Sequence, residues 1–195
     1  MGIDQLVEIG VKETSRDAIT FTTKTQLWCQ LPYPNHPKGC PNYNNKETCP
    51  PKARYKPEIL DHYSNFFLIY ANFNIKKQKE RMLEIHPNWS QKQASCLLYW
   101  QNSVKKKLRD FINEIYRRNK KKRIYILSCG SGFNSMDFNQ DLVYSMEAIG
   151  IDVLNTLRNN SIDFEVKPIE KAILTTLLCS IEPLLIEKDD LLSHA

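Results

Sequence analysis

Three cysteines in a proline-rich segment are the residues of this chain most able to do chemistry. Cys29, Cys40 and Cys49 lie within residues 29–51, which hold three of the six cysteines, six of the ten prolines and one glycine. A segment with so few aliphatic side chains cannot fold around a core of its own, so a disulfide or a metal must hold it. Proline follows Cys40 directly and a Pro-Pro pair follows Cys49, which stiffens the chain after each thiol. We interpret this segment as a ligand-bearing loop.

The remainder of the chain favours a metal over a disulfide. The N-terminal residues show neither the basic leader nor the apolar stretch of a signal peptide, and no apolar run approaches the roughly 18 residues of a membrane span. We therefore expect a cytoplasmic protein with no membrane partner, in which thiols stay reduced and clustered cysteines bind metal. Cys96 and Cys179 lie in apolar runs, and we expect each to be a small buried hydrophobic residue.

Two residues, Cys129 and His36, are candidates for the fourth ligand of a metal site. The spacing of Cys29, Cys40 and Cys49 matches neither the zinc-finger knuckle nor the bacterial ferredoxin run. Cys129, in a glycine-containing loop after a predicted strand, would complete four thiolates, which suit an iron–sulfur cluster or zinc. His36, inside the loop, would give a Cys₃His set typical of structural zinc. A third option leaves one iron open for a substrate. We predict an iron–sulfur cluster, such as a 4Fe-4S cluster, on the four cysteines, with zinc as the alternative.

Cys129 has two other interpretations. It begins the sequence Cys-Gly-Ser-Gly, where a plain turn would simply bury the thiol and the glycines would let backbone N–H groups converge on an anion. A catalytic nucleophile would instead need a base, for which His86 and Glu147 are conceivable. Glu147 itself is expected to be structural, because an acid in the first turn of a helix favourably meets the helix dipole. The sequence contains no complete catalytic set, so it does not decide whether the protein is an enzyme.

A basic segment gives a rival function. From Lys105 to Arg123 there are ten basic residues and two acidic ones, in a chain of net charge +5. Such a segment is either a solvated helix end or a surface for RNA. The alternative function is therefore a zinc-stabilised nucleic-acid-binding module, whereas a cluster-binding protein would have a redox partner protein. The candidate phosphate contacts are Lys105, Lys106, Lys107, Arg117, Arg118, Lys120, Lys121, Lys122 and Arg123.

Length and composition predict one globular domain. The 195 residues are 42% hydrophobic and 25% charged, which suits a core that needs no metal to form. We expect a single domain over 1–195, with a metal-binding loop at 29–52, a core at 53–180 and an unpatterned tail at 181–195. The predicted class is α/β or α+β, with a mixed sheet of about four strands that includes at least one parallel pair.

Hydrophobic periodicity and capping residues locate the elements. Strands are predicted at 65–73, 123–128, 163–166 and 172–180, and helices at 57–63, 75–86, 90–122 and 144–158. Ser90 with Gln93 forms a capping box for the longest helix, and Ser145 is the predicted N-cap of the last. Residues 1–28 are expected to be weakly structured at first and then extended or helical.

Two motifs resemble those of a known family. The first is Cys40-Pro41-Asn42-Tyr43 followed by Cys49-Pro50-Pro51, and the second is Ser145-Met146-Glu147-Ala148-Ile149-Gly150-Ile151-Asp152-Val153. Both resemble the motifs of a family of small prokaryotic predicted metal-binding proteins. The resemblance implies metal binding by cysteines, with an iron–sulfur cluster as one form of the centre, and it implies no particular reaction.

The chain departs from that family at two places. Many members carry a further cysteine cluster just before the Ser-Met-Glu motif, whereas this chain has only Cys129 in that region. The segment between Cys29 and Cys40 is also longer than in the family's shorter form. A second metal cluster is therefore not expected here.

Overall fold

Four antiparallel strands form one sheet in the order β1-β2-β4-β3. The computed structural model describes residues 2–32, 36–130, 140 and 142–186, apart from the side chain of Leu98. Its strands are β1 (Val7–Thr14), β2 (Asn65–Asn74), β3 (Ile124–Leu127) and β4 (Lys171–Ser180). The two central strands, β2 and β4, pair along their full length, whereas β3 pairs only with the last four residues of β4.

The predicted class and strand number are confirmed, but the predicted parallel pair is wrong. Strands β2 and β3 do run in the same direction, as their helical connection suggests, because each is antiparallel to β4. However, β4 lies between them, so no two strands of the sheet are parallel neighbours. The strand predicted at 163–166 is also wrong, since those residues are irregular. Conversely, β1 lies in the segment that was expected to be weakly structured.

The helices are short except for two. They are α1 (Lys24–Trp28), α2 (Ile75–Ile85), α3 (Gln91–Ala94), α4 (Gln101–Arg118) and α5 (Val153–Asn159). Five 3₁₀ turns are described, at Ile3–Leu6, Arg16–Ala18, Pro57–His62, Leu97–Tyr99 and Glu147–Ile149. The described residues contain no helix that is both long enough and apolar enough to cross a bilayer.

The long helix predicted from Ser90 is interrupted. Its capping box forms, because the Ser90 hydroxyl accepts from the Gln93 N–H and the Gln93 side chain accepts from the Ser90 N–H. The helix nevertheless stops after one turn and resumes at α4. Between the two pieces, Trp100 is 4% exposed and stacks on Phe73 at 4.5 Å. Its indole N–H donates to the Ser95 carbonyl at 3.4 Å. The helix therefore breaks at the position where the indole of Trp100 is buried against the sheet.

The helix predicted over 144–158 is also divided. Gly150 has a φ of +106°, and a Cβ at this position would lie 2.3 Å from Tyr55 Cδ2. Met146 is the N-cap of the 3₁₀ turn Glu147–Ile149, and the Ser145 hydroxyl just before it accepts from the Ala148 N–H at 3.1 Å, so Ser145 does not cap an α-helix. Asp152 is the N-cap of α5 and accepts from the Asn155 N–H at 3.1 Å. The glycine therefore separates two independently capped helical turns.

Both faces of the sheet are buried. On one face, α4 packs against β1, β2 and β4 through an apolar stripe that includes Val104, Leu108, Phe111, Ile112 and Ile115. The opposite face is covered by residues from Pro57–His62, from the turn at residue 147 and from α5, among them Leu60, Met146, Ile149, Ile151 and Leu157. This second layer carries the turn next to the cysteine loop.

Part of the predicted tail is packed. Leu184 and Ile186 lie against the α4 side of the core. The Asn119 side chain, at the end of α4, donates to the Leu185 carbonyl and accepts from the Leu185 N–H, both at 3.0 Å. Residues 181–186 of the segment that sequence leaves unpatterned therefore pack against the core, and 187–195 lie outside the described residues.

Candidate metal centre and adjoining cavity

The cysteine loop is tied at both ends to the turn Glu147–Ile149. Helix α1 ends at Trp28, so Cys29 begins the loop. The Gln26 side-chain amide donates to the Ala53 carbonyl at 3.1 Å and to the Ala148 carbonyl at 2.8 Å. The Lys56 N–H donates to the Ile149 carbonyl at 3.0 Å. The loop therefore starts and ends on the same surface, although residues 29–52 carry almost no apolar side chains.

Backbone geometry brings the first two cysteines together. The Cys40 N–H donates to the Cys29 carbonyl at 2.7 Å. Gly39, immediately before Cys40, has a φ of +84°, and a Cβ there would lie 2.5 Å from the Cys29 carbonyl oxygen. Only glycine adopts this conformation without strain and leaves room for that contact. The single glycine of the loop therefore sets the approach of Cys40 to Cys29.

Cys49 is held by a second set of turns. Its N–H donates to the Lys46 carbonyl at 3.1 Å, and its carbonyl accepts from the Ala53 N–H at 2.9 Å. The Asn44 N–H donates to the Pro50 carbonyl at 2.8 Å, which connects the two Cys-Pro steps of the loop. The Cys49 residue is 7% exposed. A buried thiol in a loop this polar is a position expected of a ligand.

The three loop thiols influence one another electrostatically. Burial raises the pKa of Cys29, and the neighbouring Cys40 and Cys49 thiols raise it further, as does Glu147. Burial also raises the pKa of Cys49, followed by Cys40. The three thiols are therefore close enough to act on one another electrostatically. A cation bound near them would relieve the repulsion between their thiolate forms. In the described residues no three His, Cys, Asp or Glu side chains are already arranged to hold a metal ion.

Cys129 lies beside the loop cysteines' neighbour Glu147. It follows β3 after Ser128, whose N–H donates to the Tyr144 carbonyl at 2.8 Å. Burial raises the pKa of the Cys129 thiol to about 11, Glu147 adds to the rise and Lys105 opposes it. Glu147 also raises the pKa of Cys29. Glu147 is therefore an acidic residue that acts electrostatically on the thiols of both Cys29 and Cys129.

The sequence offers Glu147 as a conceivable base for Cys129 but favours a structural role for it. Its carboxylate oxygen Oε2 is buried and has no hydrogen-bond partner among the described residues. Burial raises the pKa of Glu147, whereas its own N–H, the Ser145 hydroxyl, the Gly130 N–H and the Lys105 ammonium lower it. The sequence signal was a single charge within the otherwise apolar run from 146 to 151. A charge in such a run is costly to bury, so it indicates a candidate functional residue.

A cavity of about 310 Å³ opens at the same place. Its lining combines apolar side chains with a few polar groups, among them Trp28, Lys105, Cys129, Glu147, Leu154 and Thr175. Trp28 is the residue immediately before Cys29, so the cavity and the cysteine loop are adjacent. A largely apolar cavity with convergent polar groups is the usual form of a small-molecule site.

Residues 14–179 match the family model described as "Predicted metal-binding protein (DUF2284)". The chain belongs to this family of predicted metal-binding proteins. The match spans the cysteine loop, Cys129 and Glu147, and it confirms the family indicated by the two motifs. No curated protein and no solved structure matches the chain.

Of the two conceivable bases for Cys129, only Glu147 is among the groups that affect its thiol. His86 stacks on Trp89 at 4.1 Å after the end of α2. Burial raises the pKa of Cys129, which disfavours the thiolate that a nucleophilic role would need. In this member of the family, a role for Cys129 as a ligand therefore requires a metal to displace its proton.

The other candidate ligand and the remaining cysteines lie in different surroundings. His36 begins a turn in which its carbonyl accepts from the Gly39 N–H at 3.1 Å. Cys179 is fully buried in the core, as predicted, whereas Cys96 is only half-buried. In the described residues all six cysteines are free thiols.

Most of the basic segment makes contacts within the protein. Lys106 pairs with Asp110 at 2.6 Å, Arg117 and Arg118 pair with Glu114, and Lys107 and Lys122 donate to backbone carbonyls. Lys105 lines the cavity. Lys120 and Lys121 are exposed beyond the end of α4. The nine predicted phosphate contacts are thus divided among several local roles.

Proposed function

We propose that this protein holds one metal centre through the thiolates of Cys29, Cys40 and Cys49, with Cys129 as the fourth ligand. The observation that carries the proposal is the hydrogen bond from the Cys40 N–H to the Cys29 carbonyl, at 2.7 Å, which Gly39 makes possible. That bond uses the one glycine of the loop to bring two thiols together. The family's metal-binding character supports the same function.

An iron–sulfur cluster is the preferred occupant, and zinc is the alternative. Thiolates are soft ligands that suit both, and the donor set of this loop fits either. A cluster bound by four cysteines supports electron transfer to a redox partner protein or a structural role, whereas a cluster with an open iron supplies a Lewis acid. The expected setting is the cytoplasm, where the thiols stay reduced until metal binds.

The choice of Cys129 over His36 rests on Glu147. This carboxylate affects the pKa of both Cys29 and Cys129, and Cys129 lines the same cavity as Trp28, the residue before Cys29, which supports Cys129 as the fourth ligand. Metal binding must bring Cys129 closer to the loop thiols, because no ligand set is preassembled among the described residues. Loops move more readily than strands, and both partners are loops.

Metal analysis of the anaerobically purified protein tests the proposal. We expect iron and acid-labile sulfide with visible absorption, and loss of both in Cys40→Ser. Cys96→Ser is the matched control, because Cys96 lies outside the loop, and it should retain the metal. A colourless protein with one zinc would exclude the cluster, and a protein without metal would exclude the centre itself.

Paired substitutions identify the fourth ligand. If Cys129→Ser strips the metal as Cys40→Ser does, Cys129 is a ligand. If Cys129→Ser retains metal and His36→Ala loses it, the site is the Cys₃His alternative. Retention in both variants indicates three protein thiolates and an open position.

RNA binding is the second candidate function, and it rests on the exposed Lys120 and Lys121 next to Lys122 and Arg123. Binding through phosphates weakens with salt, and the logarithmic slope falls by about one unit for each lysine–phosphate pair that is removed. Replacement of both exposed lysines with Ser should reduce that slope in a gel-shift titration with single-stranded RNA. Absence of salt-dependent retardation in the natural protein would eliminate this function.

A further inference from the structure

The cavity beside the cysteine loop exists because β3 is short. Leu127, the last residue of β3, pairs with Leu177 of β4, and the chain then leaves the sheet to form a bridge between Ser128 and Ser145. In the described part of the chain, β4 therefore has no strand partner on this side from Lys171 to Thr176. The cavity opens against this uncovered length, with Ile173, Leu174 and Thr175 as one wall.

The other walls are apolar side chains from two helices. Val153, Leu154 and Leu157 come from α5, and Trp28 comes from the end of α1. The volume of about 310 Å³ is at the lower end of the range for small-molecule sites, roughly 300–1,000 Å³. The space therefore suits a molecule with a compact apolar body rather than a nucleotide or a large cofactor.

The polar and charged residues that line the cavity include Lys105, Glu147 and Thr175. Lys105 projects from α4, and its Nζ lies 4.0 Å from the position of a Cβ built on Gly130. Glu147 and Thr175 both line the cavity, and among the described residues neither the buried Glu147 Oε2 nor the buried Thr175 Oγ1 has a hydrogen-bond partner. A buried polar atom is costly to leave without a partner, so two such atoms beside one cavity point to a ligand that pairs them.

We propose that this cavity binds a small 2-amino or 2-hydroxy carboxylate with an apolar side chain. The ligand's carboxylate meets the Lys105 ammonium, its amino or hydroxyl group donates to Glu147 Oε2, and its apolar part lies among the α5 and β4 side chains. The arrangement uses the cation and the acceptor together, which neither a simple amine nor a hydrocarbon can do. Because Cys129 lines the same cavity, such a ligand lies beside the proposed metal centre, but its binding does not depend on the metal.

Four probes of similar size separate the contributions. They are L-leucine, 2-hydroxy-4-methylpentanoate, 4-methylpentanoate, which lacks the donor, and 3-methylbutylamine, which lacks the carboxylate. Calorimetric titration of the full chain should show the first two binding at least about tenfold more tightly than the amine. Equal binding of all four, or no binding at about 10 mM, would overturn the proposal.

Two substitutions assign the contacts. Lys105→Met should weaken the leucine and hydroxy-acid complexes by about tenfold or more, whereas Lys106→Met, the same change one residue away on an ion-paired surface lysine, should leave them unchanged. Glu147→Gln should weaken those two complexes more than that of 4-methylpentanoate. Unchanged binding in a folded Lys105→Met protein, with folding checked by thermal denaturation, would contradict the assignment.

Metal content measured on the same samples separates the two proposals. A metal-free protein that binds leucine leaves the cavity assignment intact and removes the metal centre. A metal-loaded protein that binds none of the four probes removes the cavity assignment and leaves the metal centre intact.

Discussion

Gly39 holds Cys40 against Cys29, and Gly39→Ala tests that role. The new Cβ would lie 2.5 Å from the Cys29 carbonyl oxygen, at a φ of +84° that alanine rarely adopts. We expect a loss of about 1–3 kcal/mol of local stability and a lower metal content, because Cys40 can no longer approach Cys29. Metal analysis and thermal denaturation measure the two effects. Gly2→Ala, where a Cβ meets nothing within 4 Å, is the control and should change neither.

Glu147→Gln should change how stability depends on pH. Burial raises the pKa of Glu147 above its ordinary value of 4.5, so folding favours the protonated form. That contribution to stability is fully present below the unfolded-state pKa and is lost as the pH rises through the folded-state pKa. The Gln variant without metal or ligand should therefore be more stable than the natural protein at pH 7 and gain nothing at pH 4. Thermal melts at both values measure the difference.

Glu114→Gln provides a control of opposite sign. Hydrogen bonding from Arg118 and Arg117 lowers the pKa of Glu114, so its ionised form favours folding at neutral pH. This variant should lose a little stability at pH 7 and none well below pH 4. If Glu147→Gln behaves in the same way, the carboxylate at residue 147 is satisfied in the fold and is not destabilised by its burial.

The cysteines of the loop stand out from sequence because proline and cysteine leave few alternatives, and their role as metal ligands stays a prediction. Cys29, Cys40 and Cys49 were predicted as ligands, and the structure places them in one electrostatic neighbourhood. What sequence could not supply is the other side of the site. Glu147 and Lys105 converge there only after β3, α4 and the turn at residue 147 pack together, and no local pattern encodes that meeting.

At the scale of elements, α4 is attached to the N-terminus through Lys107. Its ammonium donates to the Asp4 carbonyl at 2.6 Å and to the Val7 carbonyl at 3.4 Å, where β1 begins. Lys107→Met should therefore cost about 1 kcal/mol of unfolding free energy. Lys106→Met removes only an exposed pair with Asp110 and should cost at most about 0.5 kcal/mol. Denaturant unfolding measures the loss of unfolding free energy in each variant. Equal losses would show that the carbonyl contacts of Lys107 contribute no more than the exposed pair of Lys106.

Elements with strong local signals were predicted well, and those decided by tertiary contacts were not. Strand β2 was found from its continuous apolar run, and the structure buries it on both sides. The helix breaks at Trp100 and Gly150 depend on contacts with Phe73 and Tyr55, which lie far away in sequence. Strand β1 is not predicted, although Val7 and Ile9 alternate with an exposed Glu8, because its pairing is with β2, far away in sequence.

At the scale of the whole molecule, the three loop cysteines lie apart from the larger apolar layer. The α4 side of the sheet is a continuous apolar core that contains none of these three cysteines, although it includes Cys129. The opposite layer supports the turn at residue 147, against which the cysteine loop lies. Changes at Cys29, Cys40 and Cys49 should therefore alter metal content far more than the unfolding of the α4 layer, whereas Cys129→Ser also changes that layer.

The central position of β4 has a consequence for the protein during its synthesis. Strand β4 is the last of the described strands, yet it lies between β2 and β3, so among the described residues β3 has no strand partner until residues 171–180 leave the ribosome. Until then the surface that receives the cysteine loop cannot form, and the thiols stay solvent-exposed and open to oxidation. Metal loading is therefore expected to be post-translational. A stalled nascent chain ending at residue 170 should have thiols that react rapidly with a maleimide, whereas the released protein should be protected.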